Sequence, residues 1–123
     1  MTLRGHESTV WSVAANDRII VSGSADCSAR IWRAADGKFL RALRGHDGVV
    51  RAISIDTERP MFATASGDMT VRLWVYDGGV QNPARAVRCR FIHRGHSAGV
   101  AAVQVFDANV VSGDVAGTII VWS

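Results

Sequence analysis

The amino-acid sequence is that of an all-β protein in which one four-stranded antiparallel unit occurs three times. Three observations say so. The dipeptide Gly-His recurs at Gly5-His6, Gly45-His46 and Gly95-His96. A Trp follows each His at a nearly constant distance, 26 positions from His6 to Trp32, 28 from His46 to Trp74 and 26 from His96 to Trp122. Between them the apolar runs are short, rich in Val and Ile, and alternate with period two between Gly, Asp, Asn and Ser; no window sustains a helical period.

The strands follow from that pattern in order. Each Gly-His is trailed by a turn and then an alternation opening Val10-Trp11-Ser12-Val13, Val50-Arg51-Ala52-Ile53 or Val100-Ala101-Ala102-Val103. A second run ends in a Ser/Gly-rich turn and a third ends in Trp, as in SGSADCSARIW, TASGDMTVRLW and SGDVAGTIIVW. The first unit is thus expected at Thr2 to Arg4, Val10 to Ala15, Ile19 to Gly23 and Ser28 to Arg33. The second reads as Lys38 to Arg44, Val49 to Asp56, Met61 to Ala65 and Thr70 to Val75, and the third as Ala86 to Ile92, Gly99 to Phe106, Val110 to Gly113 and Thr118 to Trp122. The repeat region therefore occupies 1–123, in units of about 1–33, 38–75 and 86–123. An insertion at 76–85 contains YDGGVQNPAR, whose Gly, Asn and Pro mark a loop that leaves the repeat intact.

Composition narrows the class of function. The 123 residues are 48% hydrophobic and 20% charged, which is globular rather than disordered. A net charge of +3 permits a nucleic-acid partner without demanding one, and thirteen Arg against one Lys, Lys38, favour forked and stacked contacts over point charge. No apolar run approaches the roughly 18–20 residues of a bilayer span, and MTLRGHESTV has no signal-peptide core, so a cytoplasmic or nuclear location is expected. Cys27 and Cys89 stand 62 positions apart without a CxxC partner, which suits free thiols.

Gly-His, Ser-Gly-x-x-Asp and Trp at this spacing resemble the WD-repeat β-propeller family, over essentially the whole chain. The Asp of the family's name dipeptide is missing, since Arg33, Val75 and Ser123 follow the Trp. The resemblance implies hydrogen-bonded sets inside each blade. They would comprise His6, Ser22, Asp26 and Trp32; His46, Thr64, Asp68 and Trp74; and His96, Ser112 and Trp122. At the third turn position stands Ala116, with Asp114 two residues earlier, so the third set is expected to be weaker.

Ser, His and Asp together also suggest a hydrolase, but the constellation appears three times at structural spacing and no GxSxG nucleophile elbow occurs. The Gly-His histidines fall one per blade, too far apart to converge on a metal, and His93 is the only other one. No GxxxxGK or GxGxxG string offers a phosphate cradle. No catalytic residue, metal or cofactor is expected.

Similar proteins, notably F-box/WD-repeat receptors, bind on the face reached by the residue after the first Val of the inner strand and by the one before the turn Asp. Here these are Trp11, Arg51 and Ala101, and Ala25, Gly67 and Val115. Trp11 and Arg51 are the candidate partner-binding residues, a hot-spot composition in which Arg can fork onto a carboxylate or phosphate. A second candidate is a basic rim on or beside fourth strands: Arg4, Lys38, Arg41 and Arg44, then Arg85, Arg88, Arg90 and Arg94. It could meet an acidic protein or RNA, or simply guard exposed edges.

Propellers close with about four to eight blades, so three leave two flanks uncovered. The chain is then a segment of a larger propeller, or it self-associates. The expected function is a non-catalytic protein-interaction scaffold binding proteins or peptides. Alternatives are a substrate-recognition module of an F-box/WD-type ubiquitin-ligase complex, suggested by the short first hairpin AANDRIIVSGS, and an RNA-associated propeller using its arginine rim.

Overall fold

A computed structural model describes residues 1–123. It contains no helix, and so none long and apolar enough to cross a membrane. Eleven strands form three antiparallel sheets. The first is β1 (Val10–Ala15), β2 (Ile19–Ser24), β3 (Ala29–Arg33) and β4 (Phe39–Leu43); the second is β5 (Val50–Ile55), β6 (Met61–Ser66), β7 (Thr70–Asp77) and β8 (Ala86–Arg94). The third has only three strands, β9 (Val100–Phe106), β10 (Asn109–Asp114) and β11 (Ile119–Trp122).

Two expectations are corrected here. Thr2–Arg4 is not a strand, because no β3-type strand lies beside it to supply a ladder. The third sheet has three strands rather than four for the same reason, since nothing pairs with the outer side of β11. The fourth strand of a sheet comes after the Trp strand, so each repeat unit read from the sequence begins one strand ahead of its sheet.

Sequential meanders place β1, β5 and β9 side by side as the inner strands. One core lies between the first two sheets: Ile19, Val21, Ile31 and Leu43 meet Val50, Ile53, Phe62, Trp74 and Tyr76. A second lies between the next two, where Met61, Ala63, Ala65, Val71 and Leu73 meet Val100, Val105 and Val110. Period-two alternation explains both, because a middle sheet with apolar residues on each face must be covered twice. Single serines stitch the inner strands, the Ile53 amide donating to Ser12 Oγ (3.1 Å) and the Val105 amide to Ser54 Oγ (3.0 Å).

The insertion is not a free loop. Tyr76 and Asp77 pair with Val87 and Ala86, lengthening the β7–β8 hairpin. Its tip reaches across to the first sheet, where Arg18 Nη2 donates to Gly78 O (3.3 Å), Arg33 Nη1 to the carbonyl and side chain of Gln81, and Arg41 Nη2 to Arg85 O (2.6 Å). Ala84 is buried in the first core. Cys27 and Cys89 are both free and half-buried.

Candidate functional site

The polar residues form one network per sheet. In the second, Trp74 Nε1 donates to Thr64 Oγ1 (2.9 Å), Thr64 Oγ1 lies 2.7 Å from His46 Nε2, and His46 Nδ1 lies 2.9 Å from Asp68 Oδ2. Since the Thr64 oxygen accepts from the indole, its own proton goes to Nε2 and the imidazole proton on Nδ1 goes to the carboxylate. That chain fits a neutral His46. Burial pushes the His46 pKa down despite the hydrogen bond to Asp68. Burial works the other way on Asp68, but hydrogen bonds from Thr70, His46 and the amides of Thr70 and Asp47 outweigh it and hold the carboxyl well below the usual range.

The first sheet repeats the arrangement. Trp32 Nε1 donates to Ser22 Oγ (3.0 Å), Ser22 Oγ to His6 Nε2 (2.7 Å), and His6 Nδ1 to Asp26 Oδ2 (3.0 Å). Ser28 and Thr70, two residues past the turn Asp, belong to these sets as well, each hydroxyl donating to Oδ1 at 2.6 Å. Sequence reading passed over them although the Asp-x-Ser/Thr spacing was visible. The preceding glycine has its own reason: at Gly45 φ is 143° and a Cβ would come within 2.7 Å of Arg72 Nη1, whose guanidinium donates to Gly45 O.

The third set corrects an expectation. Asp114, not a residue at the Ala116 position, accepts from His96 Nδ1 (2.8 Å), while Ser112 links His96 Nε2 (2.7 Å) and Trp122 Nε1 (2.8 Å). By strand pairing Asp114 occupies the place of Ser24 and Ser66, opposite Val100 as they are opposite Val10 and Val50. Its Oδ1 takes the amides of Ala116 and Thr118, so one carboxylate serves both the turn and the histidine. Backbone donation from Thr118, then His96, holds its pKa below the usual range. The set is complete.

These hydroxyls sit in hydrolase-like order, but the indole N–H occupies the oxygen, and Ser22, Thr64 and Ser112 are all buried. The arrangement closes each blade on itself.

Trp11, Arg51 and Ala101 share another feature. Each is the extra residue of a β-bulge: Val10 and Ser12 pair with Ser24 and Gly23, Val50 and Ala52 with Ser66 and Ala65, and Val100 and Ala102 with Asp114 and Gly113. A bulge turns its side chain out of the pleat. Trp11 is accordingly 52% exposed rather than packed into a neighbouring blade, and the Arg51 guanidinium lies 5.5 Å from its ring centroid, a cation–π distance. Ala25, Gly67 and Val115 stand beside the bulges, their amides donating to Thr9, Val49 and Gly99.

Arg85, Arg88, Arg90 and Arg94 are all exposed along β8 and its entry; Arg88 shares a groove with Arg41 and Asp77, and Arg90 is a bulge residue 5.4 Å from the Phe91 ring.

The WD domain, G-beta repeat family matches residues 1–33 and 37–75. The chain belongs to this WD-repeat family. Its third sheet lies outside the matched residues yet carries the same His, Ser and Trp connections as the two WD repeats within them. Among relatives, eukaryotic translation initiation factor 3 subunit I of Lodderomyces elongisporus is 37% identical over 79 residues, covering 63% of this chain and 23% of that protein. Cell division control protein 4 of Saccharomyces cerevisiae is 30% identical across 98% of this chain and 17% of its own length. WD repeat-containing protein pop2 of Schizosaccharomyces pombe is 34% identical across 98% and 21%. The WD-repeat chain thus spans less than a quarter of the length of these relatives.

Proposed function

We propose that the chain is a non-catalytic protein-interaction scaffold whose contact point is the Trp11–Arg51 pair. The supporting observation is that bulges on adjacent inner strands bring these two side chains together in solvent, on elements held rigid by the His–Ser/Thr–Trp networks. The stacked guanidinium keeps donors free for a carboxylate or phosphate, while the exposed indole supplies apolar area. The partner is therefore an acidic or phosphorylated peptide segment of another protein. Membership of the WD-repeat family supports the scaffold reading, and one relative is by name a subunit of a larger factor.

Binding of acidic peptides to the immobilised chain, with and without phosphate, tests this. Arg51→Ala and Trp11→Ala should each weaken binding at least about tenfold, roughly 1.4 kcal/mol, without moving the melting temperature. Binding that survives both substitutions at full strength would remove the site.

A further inference from the structure

The end of β5 opposite Arg51 carries charge of the other sign. There the β5–β6 turn and the β9–β10 turn stand side by side, at the junction of the second and third sheets, and flank a polar groove of about 370 Å³. Three carboxylates, Asp56, Glu58 and Asp107, line it against one cation, Arg59. Glu58 and Asp107 are exposed, whereas Asp56 is only 4% exposed.

Asp56 sets the groove apart from a solvated acidic cluster. Its Oδ1 accepts the amides of Glu58 and Arg59, both at 2.8 Å, and so closes the turn. Its Oδ2 is buried and has no hydrogen-bond partner. Arg59 Nη1 stands 3.7 Å away, an ion pair without a hydrogen bond, and Arg59 Nη2 donates to Asp107 Oδ1 at 3.3 Å. Burial alone would raise the Asp56 pKa, but the turn amides, the Arg59 charge and the Ala108 amide hold it below the usual range, so the carboxylate is ionised. A buried acceptor left without a donor is costly, and a charged one more so.

We propose that this groove binds an arginine side chain presented by a basic segment of a partner protein. Arg59 shows the fit, since one guanidinium already spans the Asp56 and Asp107 carboxylates, but it leaves Asp56 Oδ2 without a hydrogen bond and Glu58 without an ion pair. A second guanidinium supplies both, its planar fork matched to a carboxylate. Arg59, whose side chain is 40% exposed, turns aside to admit it at the cost of one long hydrogen bond. This ligand is opposite in charge to the one proposed for Trp11 and Arg51, and the two sites lie at opposite ends of β5, so neither depends on the other.

Fluorescence anisotropy with a labelled hexa-arginine peptide and its neutral citrulline counterpart tests this. The chain has a net charge of +3 and repels such a peptide in general, so binding reports a local site. The arginine peptide should bind and the citrulline peptide should not. Asp56→Asn keeps the Oδ1 acceptor of the turn and Asp107→Asn changes an exposed side chain, so both should retain their far-UV dichroism. Binding should weaken at least about tenfold in Asp56→Asn and about threefold in Asp107→Asn. Arg59→Gln removes the competing internal cation and should strengthen it by about threefold. The proposal is overturned if the wild-type chain does not bind, if the citrulline peptide binds as well, if either Asn variant binds at full strength, or if Arg59→Gln fails to strengthen binding. Should Asp56→Asn lose its dichroism, Asp107→Asn and Arg59→Gln decide, with the same two outcomes.

Discussion

At the scale of single residues, the buried networks make the protein sensitive to acid. A His46 pKa lowered in the folded state means that the unfolded chain takes up a proton first, as pH falls through the ordinary value of 6.5. Stability therefore drops from there toward the folded pKa. Asp26 and Asp68, also lowered, contribute stability that is complete above 3.8 and is lost as pH falls further. Thermal melts from about pH 7 to pH 3 should show a first decline below about 6.5 and a steeper one below about 4, and His46→Gln should reduce the first, leaving the share of His93, whose pKa burial also lowers. A flat melting temperature above pH 5 would contradict the neutral-histidine network. Much of this network was legible through the family resemblance, since eleven of the His, Ser/Thr, Asp and Trp positions recur in step. Asp114 was not. Alignment counts positions, whereas a carboxylate on a preceding residue can reach the same nitrogen when the turn brings it there.

Among the elements, the β7–β8 hairpin acts as a strap between the first two sheets. Its tip is held by Arg18, Arg33 and Arg41, and Asn16 Nδ2 donates to Tyr76 Oη at 3.1 Å. Such exposed contacts are individually weak, but Ala84 is also buried beneath them. Joining Asp77 to Ala86 through Asn-Gly should cost about 1–3 kcal/mol, read as a lower urea midpoint with the circular dichroism unchanged. An unchanged midpoint would make the strap passive. The period-two pattern located every strand that forms, because Val- and Ile-rich alternation is a local signal. The strap escaped it, since Asp77-Gly78-Gly79 reads as a turn and its partners lie more than forty residues away. Bulges were equally silent, being defined by a partner strand.

For the molecule as a whole, the sheets are unequal. The middle one is covered on both faces, with Phe62, Ala63 and Ala65 fully buried, whereas each terminal sheet is covered on one. In a stack where each unit touches only its neighbours, stability follows the number of junctions. Hydrogen exchange should leave β6 amides protected longest and those of β1 and β11 released first. Uniform exchange across the sheets would mean that the chain opens as one unit. Repeat number and strand order were readable from sequence, and the family resemblance marked the strands at Lys38 and Ala86 as fourth strands, which β4 and β8 are. The offset of one strand between repeat and sheet depends on which edges find partners in space.

The double role of Asp114 has a consequence for how such a surface changes over generations. In the first two sheets the residue that closes the turn also feeds the histidine, so a substitution at Asp26 or Asp68 would disturb the interior. In the third, both duties fall on a residue still inside the strand, and Val115, Ala116 and Gly117 carry neither. That stretch lies beside the bulged residues, on the face proposed above for peptide binding. Val115 and Ala116 can be rewritten more freely than Gly117, whose φ of 94° favours glycine, and these two positions give this corner of the molecule latitude to acquire new specificity.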